Sequence, residues 1–349
     1  MIAELQSFGL TPYFTSQLAI EEYDGSRLCR VVEVHRSIVR AWDGIVEVTL
    51  PHPMPAESNA AQLPTVGDWV VLDAACQRIE RVLERSSVFQ RVAAGEKAEI
   101  QLIAANIDVL FVVTSCNEEF KESRLERYLA LAAEARVVPV VVLTKADLTD
   151  ASDDYVQRVR QVQSGVSVVA INALDAETRT ELTAWIEPQT TVALVGSSGV
   201  GKSTILNTLM QTQIAETGGI REDDKKGRHT TTHRSMKRLP GGGMLIDVPG
   251  MRELKVAGID EGIAVVFEDI EALARQCRFS DCRHIDEPAC AVLGAIEAGT
   301  LDPRRLSNYH KLQRENERHG ASLAQIRKQG REFGKIARDA AAWKKGLRG

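Results

Sequence analysis

The order of two short motifs constrains the fold of this chain more than any other feature of its sequence. Thr144-Lys145-Ala146-Asp147 is typical of a guanine-recognition loop, and Gly196-Ser197-Ser198-Gly199-Val200-Gly201-Lys202-Ser203 is typical of a phosphate-binding loop. A conventional small GTPase carries the phosphate loop first, so the order here is inverted. The sequence therefore predicts a circularly permuted GTPase domain, whose switch segments lead directly into the C-terminal part of the chain.

The pattern around these motifs is typical of a nucleotide-binding α/β domain. Buried-strand runs at Val109–Val113, Pro139–Leu143 and Val192–Val195 alternate with predicted helices, which indicates a parallel sheet. The second strand ends at the guanine motif and the third leads into the phosphate loop, which is the context that such a loop requires. The predicted helices between these strands lie at Arg124–Ala135, Asp154–Val162 and Asp175–Ile186.

Several side chains in and after the phosphate loop predict phosphate and magnesium chemistry. The backbone N–H groups of the loop and the start of the next helix would surround phosphate oxygens, and Lys202 would reach the β- and γ-phosphates. Ser203 would ligate Mg²⁺. Asp247 follows another apolar strand and matches the carboxylate that supports Mg²⁺, while Gly250 matches the glycine that contacts the γ-phosphate.

The guanine motif predicts base specificity. The carboxylate of Asp147 can accept two hydrogen bonds from guanine, while the stem of Lys145 lies along the ring; adenine lacks that pair of donors. Thr144 stands where Asn is commoner, and we expect this replacement to weaken a supporting contact. Asn172 and Ala173 follow a predicted strand, at the place where a loop that caps the base is expected.

The group that would assist hydrolysis is harder to find. Met251 follows Gly250, where a Ras-like enzyme carries a glutamine that orients water, and methionine cannot do that. His229, beside Thr230–Thr232, is the best candidate for positioning water or accepting a proton. The alternative is that His229 is a polar residue of a loop with no catalytic role.

A cluster of three cysteines and one histidine predicts a metal site. Cys277, Cys282, His284 and Cys290 fall within 14 residues, and four such ligands favour tetrahedral Zn²⁺ in a structural role. The alternative is a chance grouping of buried residues. A disulfide framework is not expected in a long intracellular chain, and three other cysteines are interpreted as ordinary core or surface residues: Cys29, Cys76 and Cys116.

Short strands dominate the N-terminal part of the chain. Five or so strands within about 60 residues predict a small barrel of the oligonucleotide-binding type, although a barrel that only packs against its neighbour fits equally well. The strand runs that carry this prediction are Leu28–Val34, Ile38–Trp42, Ile45–Val48 and Trp69–Leu72.

Length and net charge limit the number of domains and the kinds of partner that we expect. A chain of 349 residues with 44% hydrophobic residues predicts two or three domains, and a net charge of −5 argues against a protein that coats nucleic acid over its whole surface. From Pro303 to Gly349, thirteen Lys or Arg residues stand against four acidic ones, which suits either RNA phosphates or a solvated helix face. The sequence has no signal peptide and no apolar run long enough to span a membrane, so we expect a cytoplasmic protein with no membrane partner.

The inverted motifs, the segment Gly227-Arg228-His229-Thr230-Thr231-Thr232 and the Cys/His spacing together resemble the ribosome small subunit-dependent GTPase A family, RsgA or YjeQ. The resemblance covers nearly the whole chain, including Ala105–Asp108. It implies a multidomain fold with three parts: a β-barrel (OB-fold) over 1–90, a circularly permuted α/β P-loop GTPase domain over 91–258, and a mainly helical zinc-binding domain with a basic tail over 259–349.

The resemblance also implies a function. A monomer would bind the 30S ribosomal subunit and its 16S rRNA late in maturation, with GTP hydrolysis stimulated by that subunit and driving release. The cofactors implied are GTP or GDP, Mg²⁺ and one Zn²⁺. By position, the nucleotide would be bound by Thr144 to Asp147 and Gly196 to Thr204, and Mg²⁺ by Thr231 and Ser203. His229 would act in catalysis with Lys202 and Thr231. Zinc would be held by Cys277, Cys282, His284 and Cys290.

Two other functions stay open at this stage. One is an RNA-binding scaffold protein whose GTP site is regulatory and hydrolyses slowly. The other is a P-loop ATPase, against which Asp147 argues because adenine would leave its carboxylate unpaired.

Overall fold

The N-terminal part of the chain is a small antiparallel sheet that wraps around its own apolar core. The computed structural model describes residues 2–23, 27–53, 63–92, 100–175, 177–211, 234–247 and 258–318. Two short helices come first, and the strand order that follows is β3-β2-β1-β4-β5. The elements are α1 (Ile2–Ser7), α2 (Pro12–Thr15), β1 (Leu28–Val34), β2 (Ile38–Trp42), β3 (Glu47–Pro51), β4 (Trp69–Leu72) and β5 (Ile79–Val82).

Alternation along these strands separates two cores. Cys29 and Val31 of β1 face the interior of the N-terminal sheet, whereas Leu28 and Val32 join the main core of the molecule. Successive side chains of a strand point to opposite faces, so β1 has one apolar face for each core. The strand-rich prediction for this region is therefore confirmed.

The third predicted strand is displaced. It was expected at Ile45–Val48, but β3 begins at Glu47 and continues to Pro51. The backbone N–H groups of Ile45 and Val46 both donate to the Asp43 carboxylate at 2.8 Å, so these apolar residues form an exposed turn. Local capping by an aspartate outweighs the strand propensity of two β-branched residues here.

A hairpin and a buried arginine join the N-terminal sheet to the central domain. The hairpin consists of β6 (Val88–Val92) and β7 (Ile100–Ala105). Arg30 of β1 is fully buried and donates to the hydroxyl of Thr191 at 2.8 Å and to the Asn106 carbonyl at 3.2 Å. Burial lowers the pKa of Arg30 to about 10, so it remains charged at neutral pH. These contacts fix the sheet against the strand that carries the phosphate loop.

The central domain is a six-stranded sheet in the order β10-β9-β8-β11-β13-β12. All neighbours are parallel except β12, which runs antiparallel to β13. The strand before the guanine motif and the strand before the phosphate loop flank β8, as a permuted nucleotide-binding domain requires. The elements are β8 (Val109–Ser115), α3 (Glu122–Glu134), β9 (Val138–Thr144), α4 (Ser152–Val162), β10 (Ser167–Ala170), α5 (Glu177–Thr183), β11 (Thr191–Gly196), α6 (Lys202–Met210), β12 (Arg234–Arg238) and β13 (Met244–Asp247).

Two features of this domain differ from the sequence prediction. Helix α5 ends at Thr183, so Trp185 and Ile186 lie in the turns that follow it instead of on its apolar side. Strand β12 was not predicted, because Arg234–Arg238 is mostly polar. It is held at the sheet edge by β13 on one side and by β1 on the other, which makes one continuous sheet of the two domains.

The C-terminal part is helical, as predicted. It contains α7 (Asp260–Val266), α8 (Glu268–Ala274), α9 (Ala291–Glu297) and a helix, α10, over residues 303–318. Gly262 allows α7 to approach α3 closely, because a Cβ at this position would lie 2.0 Å from the Ala130 carbonyl oxygen. Within the described ranges, no helix is long and apolar enough to cross a membrane.

Candidate nucleotide site and metal centre

The predicted nucleotide segments meet at one edge of the central sheet. The guanine motif follows β9, the Asn172 loop follows β10, the phosphate loop follows β11, and Asp247 is the last residue of β13. These four strands are parallel, so their carboxyl ends lie on the same side. Open parallel sheets bind ligands at this edge.

The backbone of the phosphate loop requires its glycines. Gly196 has φ +147°, and a Cβ there would lie 2.1 Å from the Val113 carbonyl oxygen of β8. Gly201 has φ +95° and lies against the side chain of Thr144. Only glycine adopts these conformations without strain, so the loop can present its N–H groups at the start of α6.

Lys202 lies over the phosphate loop. Its ammonium donates to the Gly196 carbonyl at 2.9 Å and also to the Ser197 carbonyl. The ammonium is thus held beside the N–H groups that would face phosphate oxygens. Ser203, the next residue of α6, is exposed, as a residue available to a metal ion would be.

Thr144 links the guanine motif to the phosphate loop by a hydrogen bond. Its hydroxyl is fully buried and donates to the Val200 carbonyl of the phosphate loop at 2.7 Å, with the Thr114 carbonyl at 3.3 Å. The closeness of β9 to the loop lets this short hydroxyl reach Val200, and the expected weakening relative to Asn stays a prediction. The guanine motif and the phosphate loop are therefore directly connected.

The base-recognition loops are held together by backbone contacts. The Ala146 N–H donates to the Ile171 carbonyl at 3.2 Å, which joins the guanine motif to the Asn172 loop. The Asn172 side chain accepts the Leu174 N–H at 3.1 Å, and the Ala173 carbonyl accepts the hydroxyl of Thr208 on α6 at 3.0 Å. The two loops predicted to contact the base therefore share one scaffold with the phosphate loop.

Lys145 and Asp147 are presented by an unusual turn. Lys145 has φ +59°, a left-handed conformation, and starts a short 3₁₀ turn that leaves Asp147 exposed. This turn reverses the chain directly after β9. The carboxylate is thereby available at the edge of the sheet where the other nucleotide segments end.

Three predicted residues, His229, Thr231 and Gly250, lie outside the described residues. Asp247 lies at the end of β13 and pairs in register with Ser235 of β12. Desolvation raises the pKa of Asp247, and the nearby charges of Lys237 and Lys202 lower it. The two lysines favour the deprotonated carboxylate that binding of Mg²⁺ would require.

The four predicted zinc ligands come together in space. Their ligand atoms all lie within 4.8 Å of one another. His284 Nδ1 lies 3.3 Å from Cys290 Sγ and 3.6 Å from Cys277 Sγ, and the two sulfurs are 3.9 Å apart. Tetrahedral zinc geometry requires about 3.6 Å between nitrogen and sulfur and about 3.8 Å between sulfurs. The described set, which also includes Cys282, can therefore hold one tetrahedral metal ion.

Local structure favours the metal-binding form of Cys277 and of His284. Burial raises the pKa of Cys277, but N–H groups of Ala291 and Val292 at the start of α9 outweigh it and lower the pKa overall. Burial also lowers the pKa of His284, which favours the neutral imidazole that binds metals. By contrast, burial raises the pKa of Cys29 to about 12, as expected of an inert core thiol.

Comparison with known proteins identifies the family. A family model described as RsgA GTPase matches residues 82–257. A protein named small ribosomal subunit biogenesis GTPase RsgA 2 from Vibrio parahaemolyticus is 47% identical, over 98% of this chain and 94% of that protein. The chain belongs to the RsgA GTPase family. It is accordingly a GTP-hydrolysing enzyme that uses GTP, GDP and Mg²⁺.

Other RsgA proteins and solved structures support the same assignment. A small ribosomal subunit biogenesis GTPase RsgA from Mesorhizobium japonicum is 43% identical, over 90% of each chain. The crystal structure of YjeQ from Thermotoga maritima matches with a TM-score of 0.59 and 25% identity, over 82% of this chain and 96% of that one. YloQ, described as a circularly permuted GTPase, matches with a TM-score of 0.58 at 21% identity, over 84% and 96%, which shows a shared fold.

The RsgA chain uses two of its C-terminal arginines internally. Arg304 and Arg305 belong to the basic stretch from Pro303 to Gly349, for which RNA phosphates or a solvated helix face were the two expected roles. Both pair with the fully buried carboxylate of Glu126 on α3, at 3.2 and 3.1 Å, and Arg305 also contacts Asp269 at 2.5 Å. These arginines therefore join the helical region to the GTPase domain. For both residues the RNA contact stays a prediction, although each already has a carboxylate partner within the chain.

One residue at the nucleotide site of this RsgA chain was missed. Arg124 of α3 donates a hydrogen bond to the hydroxyl of Ser197 in the phosphate loop. These residues are 73 positions apart, and the contact depends on how α3 packs against β8 and β9, next to the strand that leads into the phosphate loop. No local motif around Arg124 indicates it.

Proposed function

We propose that this GTPase binds the small (30S) ribosomal subunit late in its maturation and that GTP hydrolysis drives its release. The near full-length identity to the Vibrio protein named for small ribosomal subunit biogenesis carries the proposal. That identity spans the N-terminal sheet and the Cys/His cluster as well as the nucleotide site. We propose 1–90, 91–258 and 259–349 as the limits of the three domains.

The proposed roles at the nucleotide site follow from its geometry. Lys202 and the loop N–H groups bind the phosphates, while Asp147 recognises guanine with Lys145 along the ring. Thr144 holds the two loops together through Val200. Asn172 and Ala173 cap the base, supported by their contacts to Leu174 and α6. The other residues proposed to bind nucleotide are Ala146, Gly196 to Gly201, Ser203, Thr204, Asp247 and Gly250.

Hydrolysis needs groups beyond those that bind. We propose His229 as the residue that positions water or accepts its proton, and Thr231 as the switch threonine that holds Mg²⁺ together with Ser203. A bound Mg²⁺ would neutralise charge on the β- and γ-phosphates. Lys202 contributes the second positive charge close to the same oxygens.

We propose that the Cys/His cluster binds one structural Zn²⁺. The three thiols and one imidazole are soft ligands at tetrahedral spacing, and a complete set of four protein ligands excludes a catalytic position for water. Cys290 also accepts the Leu293 N–H at 3.5 Å and so caps α9. The ion would therefore fix the long loop between α8 and α9.

One helix, α3, contacts both the phosphate loop and the C-terminal region. Helix α3 contacts the phosphate loop through Arg124 and the C-terminal region through Glu126 and Arg127. Arg127 makes a bidentate contact with Glu315 of α10. A rearrangement on hydrolysis could pass along this one helix to a surface that contacts the ribosome.

The proposed partners are the 30S subunit and its 16S rRNA, bound by a cytoplasmic monomer. The N-terminal sheet, which joins the central sheet at β12, and the C-terminal region, which packs against α3, provide two candidate surfaces. Because Arg304 and Arg305 already have carboxylate partners, we propose other basic residues of the C-terminal region as the main contacts to RNA phosphates.

Co-sedimentation tests this function. The purified chain would be mixed with 30S or 50S subunits in the presence of GDP or a non-hydrolysable GTP analogue at moderate salt. We expect sedimentation with 30S subunits when the analogue is bound, and weaker binding with GDP. Equal sedimentation with both subunits and both nucleotides would contradict the proposal.

A further inference from the structure

A second cation, besides Lys202, lies at the phosphate loop. Arg124 is the third residue of α3, and its guanidinium donates to the Ser197 hydroxyl. Lys202 donates to the carbonyl of the same Ser197. The two cations therefore converge on one residue of the loop that would surround the phosphates.

The topology brings Arg124 there independently of that single hydrogen bond. Strands β8 and β11 are neighbours, with Val113 paired to Gly196, so both chain segments leave the sheet side by side. The loop from β8 to α3 is held by Asn117, whose side chain accepts the Ser115 hydroxyl at 2.7 Å and the Glu119 N–H at 3.0 Å. The first turn of α3 is thus fixed beside the phosphate loop.

The guanidinium is free to change partner. Its side chain is 39% exposed, and its ionic partner, Glu119 at 3.5 Å, is 50% exposed. Exposed pairs at such a distance contribute little, so a phosphate would compete successfully for the arginine. The planar guanidinium also offers two parallel N–H donors to the oxygens of one phosphate, a fixed geometry that an ammonium lacks.

The negative charge of GTP explains why a second cation is useful at this site. Bound GTP carries about four negative charges, of which Mg²⁺ and Lys202 offset about three. GDP carries about one negative charge fewer than GTP, so the unbalanced charge belongs to the γ-phosphate. An arginine in the same chain could offset it and stabilise the charge that develops as the γ-phosphoryl group leaves.

We propose that Arg124 is a further catalytic residue of the GTP site, whose guanidinium turns from Ser197 to the γ-phosphate when GTP binds. The inference rests on the proposed nucleotide site. It adds a positive charge supplied from within the chain, on a helix that also contacts α7 and α10 of the C-terminal part.

The test compares Arg124→Ala, Arg124→Lys and a matched control, Arg160→Ala, in the full chain. Arg160 is an exposed arginine in the last turn of α4. Affinities for GDP and for a non-hydrolysable GTP analogue would be measured with kcat for GTP. We expect Arg124→Ala to lower kcat about 10- to 100-fold and to weaken the analogue about fivefold, with GDP affinity and Tm close to wild type. Arg124→Lys should recover part of kcat, and Arg160→Ala should match wild type.

Other results would overturn the inference. If Arg124→Ala weakened the binding of GDP and of the analogue equally, the arginine would only hold the loop. The same conclusion would follow if a Ser197→Ala variant reproduced the whole loss of kcat. An unchanged kcat in Arg124→Ala, with normal nucleotide binding by wild type, would overturn this inference alone. Failure of wild type to bind either nucleotide would overturn the proposed site and this inference with it.

Discussion

Replacing Thr144 with Val removes one buried hydroxyl and leaves the shape of the side chain nearly unchanged. That hydroxyl is the donor to the Val200 carbonyl at 2.7 Å, and both residues are buried. The methyl group of Thr144, which lies 3.4 Å from where a Cβ would stand at Gly201, would remain. The substitution therefore tests the hydrogen bond between the two nucleotide loops with little change in packing.

The expected loss of GDP affinity follows from the Val200 carbonyl, which loses its donor. A buried carbonyl that loses its donor costs about 1–3 kcal/mol. If the cost appears wholly in the conformation that binds nucleotide, the Kd for GDP rises about 5- to 150-fold. Because Val200 can relax toward other donors, we expect a value near the lower end, of about 5- to 10-fold.

The assay is GDP titration of wild type and four variants, with Tm measured for each. Thr144→Ser and Thr144→Asn each keep a donor and should bind more tightly than Thr144→Val. Thr183→Val is the matched control, because its hydroxyl donates only to the Thr180 carbonyl of its own helix at 3.1 Å. A Thr144→Val protein that binds GDP as tightly as wild type with an unchanged Tm would refute the reasoning.

Three further changes test the C-terminal region. Glu126→Ala removes the carboxylate shared by two arginines, and urea titration should show a loss of about 3 kcal/mol in the free energy of unfolding; an unchanged midpoint would contradict the pairing. A double-mutant cycle of Arg127→Ala and Glu315→Ala should give a coupling energy of about 1–2 kcal/mol, and additive effects would argue against a bidentate contact. A chelator should lower Tm and release about one zinc ion per chain, and Cys282→Ser should lower Tm alike; a Tm insensitive to both would exclude a structural metal.

The sequence predicts those parts of the site that are local along the chain. The phosphate loop, with its glycines and lysine, directly follows its strand in the sequence. The four Cys/His ligands fall within 14 residues. Their chemistry can therefore be recognised without a fold. The buried runs that became β8, β9 and β11 were also found, because strands covered on both faces are almost continuously apolar.

Contacts between distant segments were not predictable in this way. The bond from Thr144 to Val200 and the contact of Arg124 with Ser197 join residues 56 and 73 positions apart. Strand β12 is polar and is held in the sheet by its neighbours, not by its own propensity. Arg304 and Arg305 look like surface charges until α3 brings Glu126 to them.

The central claim is that this GTPase works on the small ribosomal subunit. Its most direct test is the rate of GTP hydrolysis by the purified chain alone, with 30S subunits and with 50S subunits, at low and moderate salt. We predict that 30S subunits raise kcat about tenfold or more and that 50S subunits do not. Equal rates in all three mixtures would contradict the account.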